Sequence, residues 1–273
     1  MNYIFSTIYP NSKKYFDEFI NSINAQSYKN FKIFLVLNGT SLSRKQKNKI
    51  NNEYKIFRIN SIWQKSRVEG LKQLLKKKPN LIIFADSDDV LDKDRIKICI
   101  EKIGANDFIV NNLYLFQKNL KNKKKWLKRK EKKITLNQID YKNFVGCSNT
   151  IVKGSAIKKI IDLIDIRLIA FDWCMAKLLL LNKFKGVYID SPLTYYRQYN
   201  NNNSSLIKFS KQKISKDIKC KLENLKYFLT VRLKYKNKIK DLENKKKMLN
   251  NKNFLKNLKK KFMKNNQYWW STI

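Results

Sequence analysis

The sequence predicts an α/β fold, in which a mixed, mostly parallel β-sheet carries helices on both faces and a helical C-terminal extension follows. Continuous apolar runs such as residues 31–37 and 81–85 are typical of parallel strands buried on both faces. They alternate with segments whose apolar residues recur every three or four positions, the spacing of amphipathic helices. Such alternation is typical of α/β folds. The Lys-rich, helically spaced sequence after residue 205 predicts the extension.

Each element of the first half follows from one of these two patterns. Apolar runs predict strands over residues 3–8, 31–37, 54–59 and 81–85. Helical spacing predicts helices over residues 12–26, 44–54, 66–77 and 93–103. Gly39 marks a turn after the second strand, and Pro79 ends the third helix.

The second half continues the alternation less regularly. The patterns predict a strand over residues 107–116 and an extended segment over 144–152. They then predict helices over 154–163 and 170–181 and a final strand over 186–189. The Lys-rich residues 118–133 are interpreted as an exposed loop or a frayed helix. We therefore expect a domain of residues 1–205, with halves 1–116 and 117–205, and an extension of residues 206–273.

Histidine is absent from the chain, which limits the chemistry available to an active site. Ser–His and Cys–His nucleophiles, imidazole metal ligands and a histidine base are all excluded. A general base near neutral pH must then be a carboxylate or, less favourably, a Lys, Tyr or Cys. The four cysteines are scattered and form no C-x-x-C pair, which is typical of reduced, buried thiols in a cytoplasmic protein without a zinc site.

The formal net charge of +39 is compatible with a polyanionic partner. Of the 60 basic residues, however, 52 are Lys and 8 are Arg, and Arg is the residue favoured for bidentate phosphate and base recognition. We therefore expect solvated surface charge, compatible with an anionic membrane, and no nucleic-acid partner. No apolar run approaches 18 residues and residues 1–6 lack a signal-peptide core, so a cytoplasmic location is expected.

The strand over residues 81–85 ends in the acidic sequence Asp86-Ser87-Asp88-Asp89. If the strand geometry continues, Asp86 and Asp88 point to the same side, because side chains alternate with period two. Two neighbouring carboxylates repel unless a cation lies between them, and oxygen ligands suit Mg²⁺ or Mn²⁺ held together with substrate phosphates. Open α/β sheets bind ligands beyond the carboxyl ends of their strands. The segment is therefore a candidate metal–diphosphate site.

Two other interpretations of this acidic segment stay open, and one is excluded. Asp89 or Asp92 could simply cap the following helix. The segment also superficially resembles the phosphohydrolase motif of the haloacid dehalogenase superfamily, although that family opens its fold with the motif and about 80 residues precede it here. A calcium EF-hand is excluded, because Leu91 stands where its loop requires Gly.

Motifs along residues 3–203 resemble those of the family 2 glycosyltransferases, inverting enzymes of the GT-A fold. In chain order they are Ile8-Tyr9-Pro10-Asn11, Ser22-Ile23-Asn24-Ala25-Gln26-Ser27-Tyr28, Leu37-Asn38-Gly39-Thr40, Ser66-Arg67-Val68-Glu69-Gly70, Asp86-Ser87-Asp88-Asp89, Phe171-Asp172-Trp173 and Tyr196-Arg197-Gln198-Tyr199-Asn200-Asn201-Asn202. Each motif alone is weak, but their order and spacing together are specific. The resemblance predicts the GT-A nucleotide-sugar transferase fold, which is a Rossmann-like α/β arrangement.

The resemblance also implies a reaction and its residues. A sugar would pass, with inversion, from a nucleotide diphosphate sugar to a hydroxyl of a glycan or lipid-linked acceptor, as in bacterial lipooligosaccharide or capsule synthesis. Asp88 and Asp86 would hold Mg²⁺ or Mn²⁺, and the Asn-rich loop over 200–203 would close over the donor. The residues expected to contact the donor are Ile8, Tyr9, Asn11, Asn38, Arg67, Asp86, Asp88 and Arg197.

Asp172 is the candidate catalytic base. It follows apolar residues and opens an apolar helix, so burial is expected to raise its proton affinity towards the range useful to a base. A helix N-cap is the alternative role for this residue. The chain departs from the family pattern at Asn38, Val68 and Tyr199, and without the usual His at position 199 a metal would rest on Asp88, phosphates and water. Trp173 and Trp63 are expected to lie in the core.

The extension carries 21 Lys and Arg against 4 Asp and Glu. One apolar stripe predicts a helix packed on the domain, through Ile214, Ile218, Leu222, Leu225, Leu229 and Leu233. Residues 250–273 combine a basic amphipathic helix with Tyr268-Trp269-Trp270, a pattern typical of a peripheral membrane anchor. The alternative is a solvated helix whose aromatic residues pack on the protein. The competing function is that of a non-catalytic basic protein that binds nucleic acid or an anionic membrane.

Overall fold

A computed structural model describes residues 1–130, 132–199, 206, 209–265 and 268–270. The Asn-rich loop over 200–203, predicted to close over a donor, lies outside these residues. The strands are β1 (Asn2–Ile8), β2 (Phe31–Asn38), β3 (Tyr54–Ile59), β4 (Leu81–Phe84), β5 (Val90–Leu91), β6 (Phe108–Phe116), β7 (Lys124–Lys125), β8 (Lys132–Ile134), β9 (Thr150–Lys153) and β10 (Gly186–Arg197). The helices are α1 (Phe16–Asn24), α2 (Arg44–Lys47), α3 (Trp63–Leu75), α4 (Arg95–Ile103), α5 (Leu136–Ile139), α6 (Gly154–Ile160), α7 (Phe171–Leu181), α8 (Lys211–Tyr227), α9 (Tyr235–Lys247) and α10 (Lys252–Asn265).

Within the described residues these strands form one ten-stranded sheet. Eight strands follow the order β3-β2-β1-β4-β9-β6-β10-β5, while β7 pairs with β6 and β8 pairs with β10 outside this order. Strands β1 to β4 are mutually parallel, as are β6 and β10. Strand β9 runs antiparallel between β4 and β6. The register pairs Ile8 with Leu37 and Phe5 with Phe84, so β1, β2 and β4 end at the same edge of the sheet. The predicted mixed, mostly parallel sheet is confirmed.

Helices cover both faces of the sheet, because the side chains of each strand alternate between two apolar layers. Ile4 and Ile83 belong to the layer beneath α1 and α4. Phe5 and Phe84 belong to the opposite layer, which α3, α6, α7 and the C-terminal helices cover. The near-continuous apolar strands of the sequence are explained by this burial on both sides.

A glycine sets the distance between α3 and the sheet. A Cβ at Gly70 would lie 2.4 Å from Val36 Cγ2 and 3.2 Å from the Phe5 ring, so any larger residue would push the helix away. One turn earlier the same helix carries Arg67. The close approach that Gly70 allows therefore helps to bring Arg67 to the edge where β1, β2 and β4 end.

Several elements differ from their predicted extent. The segment 118–133, interpreted as an exposed loop or a frayed helix, contributes β7 and most of β8 to the sheet. The helix predicted over 44–54 is confined to α2, because Asn48, Asn51 and Asn52 favour caps and turns over helix interiors. The strand predicted to end at residue 189 continues to Arg197, and register shifts on both sides of Pro192 accommodate a residue that cannot donate to a ladder. Only Thr150–Lys153 of the extended segment 144–152 is paired in the sheet.

The extension packs on the domain, but not as one long helix. The stripe predicted to continue to Leu233 ends with α8 at Tyr227, and Leu233 is 77% exposed. The chain then reverses into α9, which an ion pair of 2.7 Å between Lys226 and Glu243 ties back to α8. No helix among residues 1–130, 132–199, 209–265 is both long and apolar enough to span a bilayer.

Buried polar contacts fix the extension to the domain. The carboxylate of Asp140, only 1% exposed, accepts bonds from Arg232 at 2.9 Å and from the Tyr235 hydroxyl. The ammonium of Lys177 on α7 is buried and donates to Asn224 on α8 at 2.6 Å. Buried charges are tolerated only when paired or hydrogen-bonded, so these contacts specify how the extension docks.

Candidate active site

A cavity of about 700 Å³ opens at the edge where β1, β2 and β4 end. Residues that follow these strands, residues of α3 and the first turn of α7 form its walls. The structure therefore brings together segments far apart in the sequence. The predicted site residues that line the cavity are Tyr9, Asn11, Asn38, Arg67, Asp86, Asp88 and Asp172.

Asp86 holds Arg67 in the cavity wall. One carboxylate oxygen accepts a bond of 2.6 Å from Arg67 Nη2, and the other accepts the hydroxyl of Ser148 at 2.9 Å. Arg67 Nη1 also donates to the sulfur of Cys147 at 3.3 Å, and its guanidinium lies 5.5 Å from the Trp63 ring centre. The arginine is thus fixed by ionic, polar and aromatic contacts while still lining the cavity.

Asp88 lies beside this pair and also faces the cavity. Its carboxylate accepts the Tyr199 hydroxyl at 2.7 Å, and its backbone carbonyl accepts Arg197 Nε at 2.8 Å. Burial raises the pKa of the Asp88 carboxyl above its usual range, and the charge of Asp86 raises it further. The two carboxylates therefore repel each other, and a cation bound between them would reduce this repulsion.

Asp89 is buried beneath the cavity and does not cap the next helix. It is 1% exposed and accepts the backbone N–H of Arg197 at 2.8 Å. Burial, then the charges of Asp88 and Asp86, hold its pKa well above the usual range. The N-cap of α4 is Asp94, because the chain forms β5 before the helix begins. The interpretation of Asp89 or Asp92 as that N-cap is therefore wrong.

A buried arginine, Arg95, lies under the acidic segment. Its guanidinium donates to the carbonyl of Phe84, the last residue of β4, at 2.8 Å and to Asn111 Oδ1 at 3.3 Å. Burial lowers the pKa of Arg95, and the charges of Asp89 and Asp86 are among the influences that oppose this shift. The acidic cluster therefore has a cation on its buried side as well as in the cavity wall.

Arg197 and Ile8, which were also expected to contact the donor, do not line the cavity. Arg197 is 5% exposed, pairs with Glu18 and lies 4.3 Å from the Tyr15 ring centre. It holds Asp88 and Asp89 from behind, as described above. Ile8 is fully buried in the core layer under α1, because its side chain lies on the inner side of the strand end.

Asn38 and Tyr9 are fixed by local hydrogen bonds at the cavity rim. The Asn38 amide exchanges two bonds of 2.9 Å with the backbone of Ser61. The Tyr9 hydroxyl donates to the carbonyl of Trp63 at 3.4 Å, and Ser12 closes the turn that contains Asn11. These residues therefore present a preformed polar rim.

Asp172 lies in the first turn of α7 and lines the cavity. The N-cap of that helix is Ala170, so the N-cap alternative is wrong. The carboxylate accepts the backbone N–H of Trp173 at 2.7 Å and the side-chain amide of Asn143 at 3.4 Å. Burial raises the pKa of Asp172 to about 6, against the opposing charge of Arg67. Trp173 lies in the core as predicted, whereas Trp63 lines the cavity.

The carboxylates fit a Mg²⁺ or Mn²⁺ ion that a diphosphate and water would help to coordinate. The described part of the chain holds no group of three or more His, Cys, Asp or Glu side chains arranged for a metal. Asp88 and Asp86 offer hard oxygen ligands, and burial, followed by the charge of Asp86, raises the pKa of Asp88. Magnesium commonly binds through one or two carboxylates plus substrate phosphates. The donor set therefore suits an ion that arrives with its substrate.

Several cavity residues were missed by the sequence reasoning. Lys14 and Ser148 line the cavity, but nothing in their local sequence distinguishes them from surface residues. Trp269 and Trp270 also line it, with exposures of 4% and 5%. The prediction that these aromatics insert into a membrane is therefore wrong, and the alternative that they pack on the protein is confirmed.

A sequence profile described as glycosyl transferase family 2 matches residues 6–161. No curated protein matches the chain by sequence. Among solved structures, TarS 1-349 of S. aureus is similar with a TM-score of 0.59 and 19% identity, over 84% of this chain and 66% of that one. The same protein in complex with UDP-GlcNAc is similar with a TM-score of 0.59 and 18% identity, over 82% of this chain and 66% of that one.

The mannosyltransferase PcManGT of Pyrobaculum calidifontis, in complex with GDP-Man and Mn²⁺, is similar with a TM-score of 0.57 and 8% identity, over 84% of this chain and 64% of that one. The chain thus spans just under two thirds of the length of these solved proteins. At such low identity the likeness concerns the fold, and the expected GT-A fold is confirmed. The haloacid dehalogenase interpretation of the acidic segment is wrong.

Arg95→Met should lower the free energy of unfolding by about 3–5 kcal/mol, because the acidic cluster loses a buried countercharge. Chemical denaturation measures the change. Arg44→Met, at an exposed position of α2, is the matched control and should alter stability by less than about 0.5 kcal/mol. Equal small losses in both variants would show that Arg95 does not stabilise the cluster.

Proposed function

The chain belongs to glycosyl transferase family 2, and from this we propose that it transfers a sugar from a nucleotide diphosphate sugar to an acceptor hydroxyl. The observation that carries the proposal is that one cavity unites the acidic end of β4, Arg67 and Asp172. Such a transfer requires stabilisation of the leaving diphosphate, a positioned acceptor oxygen and a group that removes its proton. The cavity contains candidates for the first and the third.

The donor diphosphate is proposed to bind along the wall formed by Arg67, Asp88 and Asp86. Arg67 offers a fixed guanidinium whose planar donors suit phosphate oxygens. Asp88 and Asp86 would hold Mg²⁺ or Mn²⁺, and the ion would offset the negative charge that develops on the leaving group. Arg197 and Tyr199 position Asp88 from behind and from the side. Tyr9, Asn11 and Asn38 form the rim at which the nucleoside would lie.

Asp172 is proposed as the general base. Its raised pKa of about 6 leaves it largely ionised at neutral pH, yet gives it a stronger affinity for a proton than an exposed carboxylate has. The bonds from Trp173 and Asn143 fix its orientation. A single displacement that starts with deprotonation on the face opposite the leaving group inverts the anomeric carbon. The chain would therefore be an inverting transferase.

The acceptor is proposed to be a glycan or a lipid-linked sugar, as in bacterial surface-glycan synthesis. The support is electrostatic: Lys252, Lys256, Lys259 and Lys260 of α10 are exposed, while Phe262 packs against Phe209 with ring centres 5.5 Å apart. The apolar face of α10 is thus turned to the protein and the basic face outwards. A cytoplasmic enzyme with this surface would meet an anionic membrane peripherally.

Donor-dependent release of a nucleoside diphosphate tests the function. We expect UDP-GlcNAc or GDP-Man, tried with Mn²⁺ or Mg²⁺, to raise the melting temperature and to release UDP or GDP slowly through hydrolysis. A panel of further nucleotide sugars extends the screen. Stabilisation by nucleic acid, without any response to nucleotide sugars, would instead favour a non-catalytic basic protein.

Asp88→Asn should weaken metal-dependent nucleotide binding by at least roughly tenfold, because it removes a charged ligand of the proposed ion. The fold should persist, since the amide keeps a bond to Tyr199. Isothermal calorimetry with UDP or GDP and Mn²⁺ measures the affinity. Asp162→Asn, whose side chain is 78% exposed, is the matched control, and unchanged affinity in both variants would contradict the proposal.

Asp172→Asn should lower turnover by roughly 10²–10⁴-fold, the usual contribution of a positioned base, with nucleotide affinity unchanged. In the unchanged chain kcat/KM should fall on acidification through pH 6, because a base with a pKa of about 6 becomes protonated there. A pH–rate profile measures this fall. A flat profile between pH 5 and 7, or a variant that keeps its rate, would rule Asp172 out as the base.

Replacing Lys252, Lys256, Lys259 and Lys260 by Gln should abolish cosedimentation with anionic vesicles, because each lysine near the surface contributes about 1 kcal/mol. High salt should release the unchanged protein completely, since the aromatic residues pack inwards. Gln at the exposed Lys45, Lys76, Lys77 and Lys97 is the matched control. Equal loss in both variants would indicate diffuse charge and no specific α10 surface.

A further inference from the structure

The C-terminal residues 268–270 return to the active site across the whole extension. The backbone N–H of Trp269 donates to the carbonyl of Asn143 at 3.0 Å, in an antiparallel bridge. Trp269 and Trp270 then line the cavity beside residues of the second half of the domain. Trp269 contacts Trp126, Asn143, Gly146 and Tyr196. The segment therefore lines the cavity together with residues of the second half of the domain.

The domain is shaped to receive the Trp269 ring. A Cβ at Gly146 would lie 2.5 Å from Trp269 Cη2, so the indole occupies the space that any other residue at position 146 would fill. The ring packs against Trp126 with centres 4.4 Å apart and against Tyr196 with centres 5.5 Å apart. Close packing from three sides fixes the ring in one position.

The same segment is linked to the proposed base. Asn143 accepts the Trp269 N–H with its backbone carbonyl and donates to the Asp172 carboxylate with its side-chain amide, at 3.4 Å. One residue thus connects the aromatic wall to the group that would deprotonate the acceptor. An acceptor held on this wall would lie on the same side of the cavity as Asp172.

Two features of the segment remain unexplained by packing alone. The indole N–H of Trp269 is buried and has no hydrogen-bond partner among the described residues, although buried Trp N–H groups usually find one. Trp270 has a φ of +61°, which is unfavourable for a bulky side chain. Strained backbone conformations of this kind cluster at active sites and ligand-binding sites, and an unpaired buried donor calls for an explanation.

We propose that Trp269 and Trp270 form the acceptor subsite and that the acceptor presents a sugar ring to it. This rests on the proposed transferase function. A pyranose has a face of C–H groups that packs on an aromatic ring, and its hydroxyls pair with the polar groups of a surrounding cavity wall. A sugar placed there directs a hydroxyl towards Asp172. Trp269 and Trp270 thus determine acceptor specificity, and the donor wall acts independently of them.

Saturation-transfer NMR with methyl glycosides of glucose, galactose, mannose and N-acetylglucosamine tests the subsite on the full chain. Trp270→Ala should weaken glycoside binding by roughly tenfold, as expected for an aromatic contact at the centre of a site, and Trp270→Phe should restore most of it. Phe254→Ala, in α10 and outside the cavity lining, is the matched control. Gly146→Ala should reproduce the loss by displacing the Trp269 ring.

Calorimetry with UDP or GDP and Mn²⁺ on the same variants separates the two proposals. Unchanged nucleotide affinity together with lost glycoside binding supports the subsite. Equal losses of nucleotide and glycoside binding would indicate that the segment covers the donor, and would overturn the subsite proposal. The proposal would also be overturned if Trp270→Ala left glycoside binding unaffected, or if the unchanged chain bound no glycoside. Glycoside binding without any nucleotide binding would support the subsite and contradict the transferase function.

Discussion

Three carboxylates crowded into four residues at the end of β4 are the constraint on which this site depends. Buried or half-buried, they are tolerated only where positive charge and hydrogen bonds surround them. The structure meets this requirement with arginines from three elements: Arg67 of α3, Arg95 of α4 and Arg197 of β10. Only 8 of the 60 basic residues are Arg, yet three of them converge here. A rigid guanidinium with several donors can bond a carboxylate and a backbone carbonyl together, which a lysine ammonium does less well.

This concentration of arginine explains why distant elements meet at one edge. Arg197 reaches Asp88 and Asp89 only because β10 continues past Pro192, where register shifts on both sides accommodate a residue that cannot donate to the ladder. Arg67 reaches Asp86 because α3 lies close to the sheet at Gly70. The cluster is therefore a candidate binding surface, and its hydrogen bonds also connect residues about 110 positions apart in the chain. Its formation would depend on nearly the whole domain being folded.

The sequence was informative where a function is encoded locally. The acidic strand end could be predicted because an apolar run and its terminal carboxylates are adjacent in the sequence. Asp172 could be predicted because its apolar sequence neighbours indicate that it is buried. Arg95 could not be predicted, since a single arginine in a helical pattern looks the same whether it faces solvent or lies under a sheet. Trp269 and Trp270 were misjudged for a similar reason: aromatic residues after a basic helix suit a membrane and a protein cavity equally. Only the three-dimensional position of Gly146 decides between them.

Asp172 also shows that the site is maintained at a thermodynamic cost. A carboxyl whose pKa rises on folding destabilises the folded state as the pH rises from the unfolded pKa to the folded one, and the full cost is present above the folded pKa. The cause is that its ionised form is solvated better in the unfolded chain. A rise from 3.8 to about 6 corresponds to roughly 3 kcal/mol at neutral pH, a large share of the stability of an ordinary domain. Leu or Asn at this position would avoid the cost and still fit the first turn of a helix. Asp172 weakens the fold, yet it lines the cavity, faces Arg67 and is oriented by Asn143. A chemical role in the cavity therefore explains its presence better than packing does.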